Sequence, residues 1–152
     1  MSQRLVPGKV APELYKVVSA LETHIGGQID HTLYELVKLR ASLINGCAFC
    51  IDMHSTEALR AGEQPARLFG LAAWWETGLY TSRELAALAL TDAVTKLGEH
   101  GVPDDVWAGA TAEFDDRELA YLVGAIAMIN YWNRLAITFQ STPASAVAAA
   151  RA

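Results

Sequence analysis

Residues 34–54 read YELVKLRASLINGCAFCIDMH, and the interpretation of the whole chain starts from this stretch. Its first half repeats apolar residues every three or four positions, which is typical of a helix with a buried face. Asn45-Gly46 interrupts that pattern, and a second helical pattern follows at once. The two cysteines of the chain, Cys47 and Cys50, lie at this junction, with His54 four residues further on. The stretch therefore predicts two consecutive helices with every thiol of the protein at their boundary.

Helical periodicity extends outward from this junction in both directions. No segment alternates with period two over a useful length, which argues against strands. Two capping boxes mark helix starts, Thr81 with Glu84 and Asp115 with Glu118. The sequence therefore predicts an all-α fold, a helical bundle of about seven helices. We expect them near residues 12–23, 30–44, 47–61, 65–77, 81–97, 104–114 and 115–140.

The size and composition of the chain favour one domain that associates with other copies. A chain of 152 residues can bury a core of its own. We expect the domain to span residues 1–140, with its centre at 30–135, and residues 141–152 to form a flexible tail. Hydrophobic residues make up 52% of the chain, which is high for this size and predicts apolar surface covered by a partner. A homo-oligomer is the expected state.

Charge and hydropathy exclude several classes of function. A net charge of −5 argues against nucleic acid or an anionic membrane as a general partner. The N-terminal residues lack the features of a secretory signal, and the longest strongly apolar run, 122–129, is far shorter than a membrane span. These observations predict a cytoplasmic protein. In that compartment, two neighbouring cysteines are more often catalytic or metal-binding than structural.

The spacing of Cys47, Cys50 and His54 favours a redox-active dithiol. With Asn45 as the expected helix cap, the cysteines lie one turn apart on one face, within the distance that a disulfide requires. Unpaired N–H groups at a helix start favour the thiolate, and His54, on the same stripe, can accept a thiol proton.

Two other interpretations of these residues stay open. Cys47, Cys50 and His54 could bind zinc if a residue such as Glu35 supplied the fourth ligand. No second Cys pair or His pair is present to complete a structural zinc site. Alternatively, the cysteines are small buried hydrophobic residues, because free cysteine is readily buried.

The chain resembles the alkylhydroperoxidase D (AhpD-like) group of the carboxymuconolactone decarboxylase superfamily. The resemblance extends from about residue 30 to residue 135 and is much more specific than an isolated Cys-x-x-Cys. Four stretches carry it: Tyr34–Cys50 followed by His54, Trp75-Glu76, Thr81–Leu90 and Ile129–Arg134.

This resemblance implies an all-α fold, assembly into trimers or hexamers, and thiol-dependent reduction of organic hydroperoxides. The resemblance also implies that Cys50 reacts with the peroxide, that Cys47 resolves the product as a disulfide, and that Glu35 and His54 form a proton relay. A dithiol such as a dihydrolipoyl protein supplies the electrons, and no metal or other cofactor takes part. Phe49 departs from the pattern, because the best-characterised members carry a second histidine there.

The residues around the cysteines allow more than one interpretation. Glu35 lies near an apolar helix side, where burial would raise its pKa, but it could also be an exposed carboxylate paired with Lys38. A polar cluster on the last helix predicts a packing or subunit-contact site, or an ordinary amphipathic helix end. Its members are Asn130, Trp132, Asn133 and Arg134.

Aromatic and imidazole side chains elsewhere are assigned more simply. One aromatic group could line a substrate pocket, although such groups more often belong to the core; it consists of Trp74, Trp75 and Tyr80. Three histidines are expected at the surface: His24, His31 and His100.

Thiol-dependent peroxidase activity in antioxidant defence is the predicted function. One alternative is a thiol–disulfide oxidoreductase that does not act on peroxides. A second is a metal-binding or structural oligomer. A decarboxylase fits less well, because decarboxylase relatives do not depend on a cysteine pair.

Overall fold

The computed structural model describes residues 3–151, and it shows an all-α protein. Within those residues there is no strand, and one isolated bridge joins Gly98 to Gly101. The helices are α1 (Pro7–Val10), α2 (Pro12–Gly26), α3 (His31–Asn45), α4 (Ala48–Arg60), α5 (Pro65–Gly70), α6 (Trp74–Thr77), α7 (Ser82–Thr95), α8 (Asp104–Glu113), α9 (Asp116–Thr138) and α10 (Ala144–Ala149). In the described residues, no helix is both long enough and apolar enough to cross a membrane.

The fold class that the sequence predicts is confirmed, and both capping boxes form as expected. Thr81 caps α7 with Glu84, and Asp115 caps α9 with Glu118. Two short helices, α1 and α10, were not predicted. The second lies in the expected flexible tail, where the backbone N–H of Ser145 donates to Asp52 Oδ2 over 3.1 Å.

The predicted helix at 65–77 is broken into α5, a 3-10 turn at Leu71–Ala73, and α6. The guanidinium of Arg40 explains the break, because its Nη1 donates to Leu71 O over 2.9 Å and to Ala72 O over 3.3 Å. Ala73 then leaves the helical region, with φ −138° and ψ 48°. A side chain from a distant helix thus donates hydrogen bonds to the backbone carbonyl groups at the turn.

Helix α3 is the centre of the molecule, because it packs against α4, α7 and α9. Its residues 33–42 are all buried. Leu36 faces one apolar cluster, shared with α4, α5 and α7, and Val37 faces another, shared with α7, α8 and α9. Burying a side chain of this size contributes roughly 1.5–3 kcal/mol. A helix fixed on so many sides provides a rigid platform for Glu35.

The junction between α3 and α4 is a single tight turn. Gly46 ends α3 in the left-handed region, with φ 68°, where glycine carries no Cβ penalty. Cys47 follows as the N-cap of α4, so the expectation that Asn45 caps this helix is wrong. Asn45 is still helical, and its amide donates to Asn130 and Asn133 on α9 over 2.9 and 2.8 Å. These bonds attach the turn to α9 and fix where the cysteines lie.

Candidate active site

The two cysteines are free, buried thiols at the start of α4. Cys47 Sγ and Cys50 Sγ lie 2.7 Å apart, close enough to share a proton. Cys47 Sγ also accepts the backbone N–H of Cys50 over 3.4 Å, as the side chain of an N-cap does. The predicted juxtaposition of the thiols on one helix turn is therefore present.

The environment of the thiols favours negative charge on Cys47. The hydrogen bond with Cys50 lowers the pKa of Cys47 to about 7 against the opposing effect of burial, and backbone N–H groups of the first turn lower it further. The same shared proton and burial raise the pKa of Cys50. The first proton to leave the reduced pair is therefore that of Cys47.

Glu35 reaches toward α4 from α3 and pairs with two cationic or proton-donating groups. Its Oε1 lies 2.8 Å from Lys38 Nζ, and its Oε2 lies 3.1 Å from His54 Nδ1. All three side chains are buried. The expected Glu35–Lys38 pair is therefore present, but the expectation that it is exposed is wrong. Burial is the largest influence on the pKa of Glu35 and raises it, but the bonds from His54 and Lys38 together lower it below its ordinary value. The expected rise in this pKa is therefore wrong.

These contacts determine which nitrogen of His54 is basic. An ionised Glu35 accepts at Nδ1, so in the neutral imidazole Nδ1 carries the proton and Nε2 is left with a lone pair. Nε2 is buried and has no hydrogen-bond partner among residues 3–151. Cys50 lies one turn before His54 on the same face of α4. The imidazole is thus arranged as a base on the helix face that carries the cysteines.

The zinc interpretation is not supported by the geometry. Among residues 3–151, the ligand atoms that converge within 4.8 Å belong to Glu35, His54 and Glu57, and neither thiol is one of them. Lys38 forms an ion pair with Glu35 and supplies the positive charge that a metal ion would bring. The four proposed ligands Cys47, Cys50, His54 and Glu35 therefore do not form one metal-binding cluster.

An apolar cavity of about 460 Å³ lies beside Cys50. Of the two cysteines, only Cys50 is among its lining residues. Aromatic and aliphatic side chains form most of the remaining wall, with Glu22 among the few polar ones. The apolar lining consists of Val6, Pro7, Tyr15, Phe49, Met53, Trp132, Leu135 and Ala136.

The sequence did not single out the right aromatic residues for this cavity. Trp75 is exposed, and the indole of Trp74 donates to Asp92 Oδ2 over 3.2 Å. Tyr80 is buried, and its hydroxyl donates to the carbonyl oxygen of Arg67. None of these three side chains is in the cavity wall, whereas Trp132, interpreted as a packing residue, is.

The polar cluster on α9 is largely buried, and part of it reaches the thiols. Asn130 donates to Thr95 Oγ1 over 3.1 Å and accepts from Arg134 over 2.9 Å, as a packing role predicts. Asn133 is fully buried on the face of α9 that packs against both cysteines, and its amide lowers the pKa of each thiol. No local sequence pattern indicates this placement of Asn133, because the placement depends on the packing of α9 against α4. The histidines expected at the surface, His24, His31 and His100, are exposed.

The model of the carboxymuconolactone decarboxylase family matches residues 12–93, more than half of the chain. The chain belongs to the carboxymuconolactone decarboxylase family. This confirms the resemblance predicted from the sequence.

Two relatives match this chain over nearly its whole length. The uncharacterized protein YdfG of Bacillus subtilis (strain 168) is 38% identical over 146 residues, covering 95% of this chain and 99% of YdfG. A crystal structure from Agrobacterium tumefaciens matches with a TM-score of 0.90 and 41% identity, covering 93% of this chain and 98% of that one. That protein is of unknown function, with a suggested role as an antioxidant defence protein AhpD.

A more distant structure shares the fold. It is a cysteine-to-alanine variant of the debrominase Bmp8 in complex with 2,3,4-tribromopyrrole, with a TM-score of 0.81. It is 19% identical and covers 91% of this chain and 75% of that one. At this identity the likeness concerns the fold alone.

Proposed function

We propose that the protein is a thiol-dependent peroxidase of the AhpD-like type that reduces organic hydroperoxides in antioxidant defence. The observation that carries this proposal is the placement of Cys50 in the wall of an apolar cavity, with Cys47 Sγ 2.7 Å from its sulfur. One cysteine that borders a substrate-sized cavity, next to a second cysteine that does not, is the arrangement that a peroxidatic and a resolving thiol require.

In the first step of the proposed reaction, Cys50 attacks the peroxide. His54 is oriented by Glu35 at Nδ1, and its Nε2 takes the proton of the Cys50 thiol. Because Nε2 makes no direct hydrogen bond to this thiol, the proton passes through a bridging water. The thiolate attacks the terminal oxygen, the O–O bond breaks, and the leaving alkoxide takes the proton back as an alcohol. Cys50 is then a sulfenic acid. The raised pKa of this thiol makes a neighbouring base necessary.

In the second step, Cys47 resolves the sulfenic acid. Its sulfur attacks Cys50 Sγ, the S–O bond breaks, and hydroxide leaves and is protonated to water. The low pKa of Cys47 suits this step, because an ionised thiol is the competent nucleophile. An external dithiol of the lipoyl type returns two electrons and two protons by thiol–disulfide exchange.

The cavity supports an organic hydroperoxide as the substrate. Its volume of about 460 Å³ is within the range of sites for small organic ligands, and its walls are mainly apolar. Phe49, where the best-characterised relatives have a histidine, adds an aromatic surface next to Cys50. The proposed relay consists of Glu35 and His54 only, without a second histidine at that position.

The proposal includes a homo-oligomer, a trimer or hexamer, acting in the cytoplasm. One side of α2 leaves three large apolar side chains exposed at helical spacing: Leu14, Val17 and Leu21. Such a stripe is typical of a surface that contacts another subunit. A reducing compartment also provides the dithiol on which turnover depends.

Trapping of the sulfenic acid tests the proposed roles. After a stoichiometric pulse of cumene hydroperoxide, dimedone and mass spectrometry are expected to locate the adduct at Cys50 in the Cys47→Ser variant. The Cys50→Ser variant is the matched control and should form no adduct at a comparable rate. A sulfenic acid at Cys47 in that control, at the rate of the unmodified protein, would reverse the two roles.

A second candidate is a thiol–disulfide oxidoreductase without peroxide specificity. The low pKa of Cys47 at a helix N-cap favours it, because such a thiolate is suited to attack a disulfide. The deciding comparison is the rate at which the reduced protein loses both thiols to cumene hydroperoxide or to a model disulfide. Loss to the disulfide alone would establish the second candidate and exclude the peroxidase.

A further inference from the structure

The face of α9 next to the cysteines is apolar except at one position. Ile129 and Ala136 pack against Cys47 and Cys50 in one cluster, with Trp132 beside them. Asn133 is four residues after Ile129 and three before Ala136, so it lies on the same face. Its side chain is fully buried at 0% exposure. A polar amide at the centre of an apolar face that covers two thiols requires partners there.

Two hydrogen bonds hold the Asn133 amide in one orientation. Its Oδ1 accepts from Asn45 over 2.8 Å, and its Nδ2 donates to Ser42 Oγ over 3.0 Å. Both anchors belong to α3, on the turn that leads into Cys47. An asparagine amide nitrogen has two N–H groups, and Ser42 uses one of them. The other N–H is the one available to the sulfurs.

We infer that Asn133 is a positioning residue for the cysteine pair, whose anchored amide N–H stabilises whichever sulfur carries negative charge. It lies between Ile129 and Ala136 on the α9 face that packs against both cysteines, and it favours the ionised form of each thiol. One anchored donor at this place can therefore serve the thiolate at Cys50 and the thiolate at Cys47 without moving. Neither sulfur is an anion in the disulfide, so this donor favours the reduced state and raises the reduction potential of the pair.

The other charged groups near the pair do not replace this donor. Glu22, on α2, raises the pKa of Cys50. His54 acts as a proton acceptor through Nε2, and the charge of Lys38 is taken up by Glu35. Apart from the hydrogen bond between the two thiols, the groups that favour a thiolate are therefore Asn133 and the backbone of the first turn of α4.

The sharpest test is Asn133→Asp, compared with Asn130→Asp. The first change keeps the side-chain shape and the acceptor for Asn45, but it presents an anion to the sulfurs. The second places the same charge one turn earlier on α9, in the same network, where the side chain contacts Asn45, Thr95 and Arg134. The control thus measures the effect of charge and network alone.

We expect Asn133→Asp to raise the lower thiol pKa by about one unit or more, a tenfold loss of thiolate at a given pH. Equilibration with reduced and oxidised dithiothreitol should show the protein shifted about tenfold toward its disulfide, or about 30 mV lower in potential. Asn130→Asp should give less than a third of either change. Equal effects of the two variants, or no shift in a folded Asn133→Asp protein, would overturn the inference.

A measurement on the unaltered protein keeps the test decisive if the variants do not fold. With asparagine labelled with ¹⁵N, one side-chain N–H of Asn133 should titrate with the midpoint of the cysteine thiolate. An Asn133 amide resonance whose chemical shift does not change during this titration would also overturn the inference. The inference rests on the proposed redox role of the pair, but the thiol pKa and the amide resonance need no peroxide turnover. A failure of the peroxidase proposal is therefore seen separately, as a lack of reaction with hydroperoxide.

Discussion

At the scale of single residues, the charge state of the candidate relay depends on Lys38. Burial favours the neutral form of Glu35, and the bonds from His54 and Lys38 reverse that preference. Because the folded-state pKa of Glu35 is lowered, this group contributes stability above its unfolded pKa and loses that contribution as the pH falls through the folded value. The ionised carboxylate contacts His54 Nδ1 and so orients the imidazole.

We therefore predict that Lys38→Met raises the pKa of Glu35 and moves both acid unfolding and the acidic limb of the peroxide reaction to higher pH. The physical reason is that burial then acts against one hydrogen bond instead of two. Thiol loss during a hydroperoxide pulse, followed as a function of pH, measures the reaction limb, and circular dichroism measures unfolding. Lys38→Arg retains the charge and should leave both midpoints nearly in place. Identical pH profiles for Lys38→Met and the unaltered protein would contradict this role.

The ionisation of the two thiols can also be predicted. Ultraviolet absorbance of the thiolate in the reduced protein should rise with a midpoint near the pKa of Cys47, about 7. Only one proton per chain should leave in this range, because the ionisation of Cys47 opposes that of Cys50. Cys47→Ser should abolish this transition. A midpoint near 8.5, the value of an unperturbed cysteine, would show that the N-cap environment does not act on the thiol.

At the scale of secondary structure, the sequence predicts the helices well and their side-chain partners poorly. Asp115, Glu118, Thr81 and Glu84 act within a few residues of each other, so their capping boxes are readable from spacing. The break after Gly70 could not be read in this way, because its cause, Arg40, lies about thirty residues earlier.

The candidate site shows the same division. Cys47, Cys50 and His54 follow from positions on one helix, and Glu35 was found through the family resemblance. Asn133 and Trp132 reach the site only because α9 packs across the start of α4, and no local pattern reports that contact.

The turn between α3 and α4 allows a direct test of how the cysteines are positioned. Gly46→Ala places a Cβ at φ 68°, which should cost about 1–2 kcal/mol of unfolding free energy in urea. Gly109 is the matched control, because it lies inside α8 and an added Cβ meets nothing within 4 Å. Gly109→Ala should stabilise the protein by roughly 0.5–1 kcal/mol. Equal effects of the two substitutions would mean that the left-handed turn is not retained in solution.

At the scale of the whole molecule, helix α2 carries several large apolar side chains that are exposed in the single chain. Leu14, Val17 and Leu21 on α2 are 53%, 69% and 50% exposed, although all three have large apolar side chains. Other exposed apolar residues, such as Leu97 at 66%, lie away from this stripe in the chain. This distribution connects the high hydrophobic content of the sequence with the proposed oligomer.

We predict that Val17→Glu converts the oligomer into a smaller species, whereas Leu97→Glu does not. A carboxylate in the centre of the stripe would have to be buried without a partner on association, and that cost opposes assembly. Light scattering coupled to size-exclusion chromatography measures the mass of each variant at several concentrations. Both side chains are exposed in the single chain, so neither change should alter its helix content, which circular dichroism checks. If Val17→Glu keeps the mass of the unaltered protein, or if Leu97→Glu dissociates it, the contact lies elsewhere on the molecule.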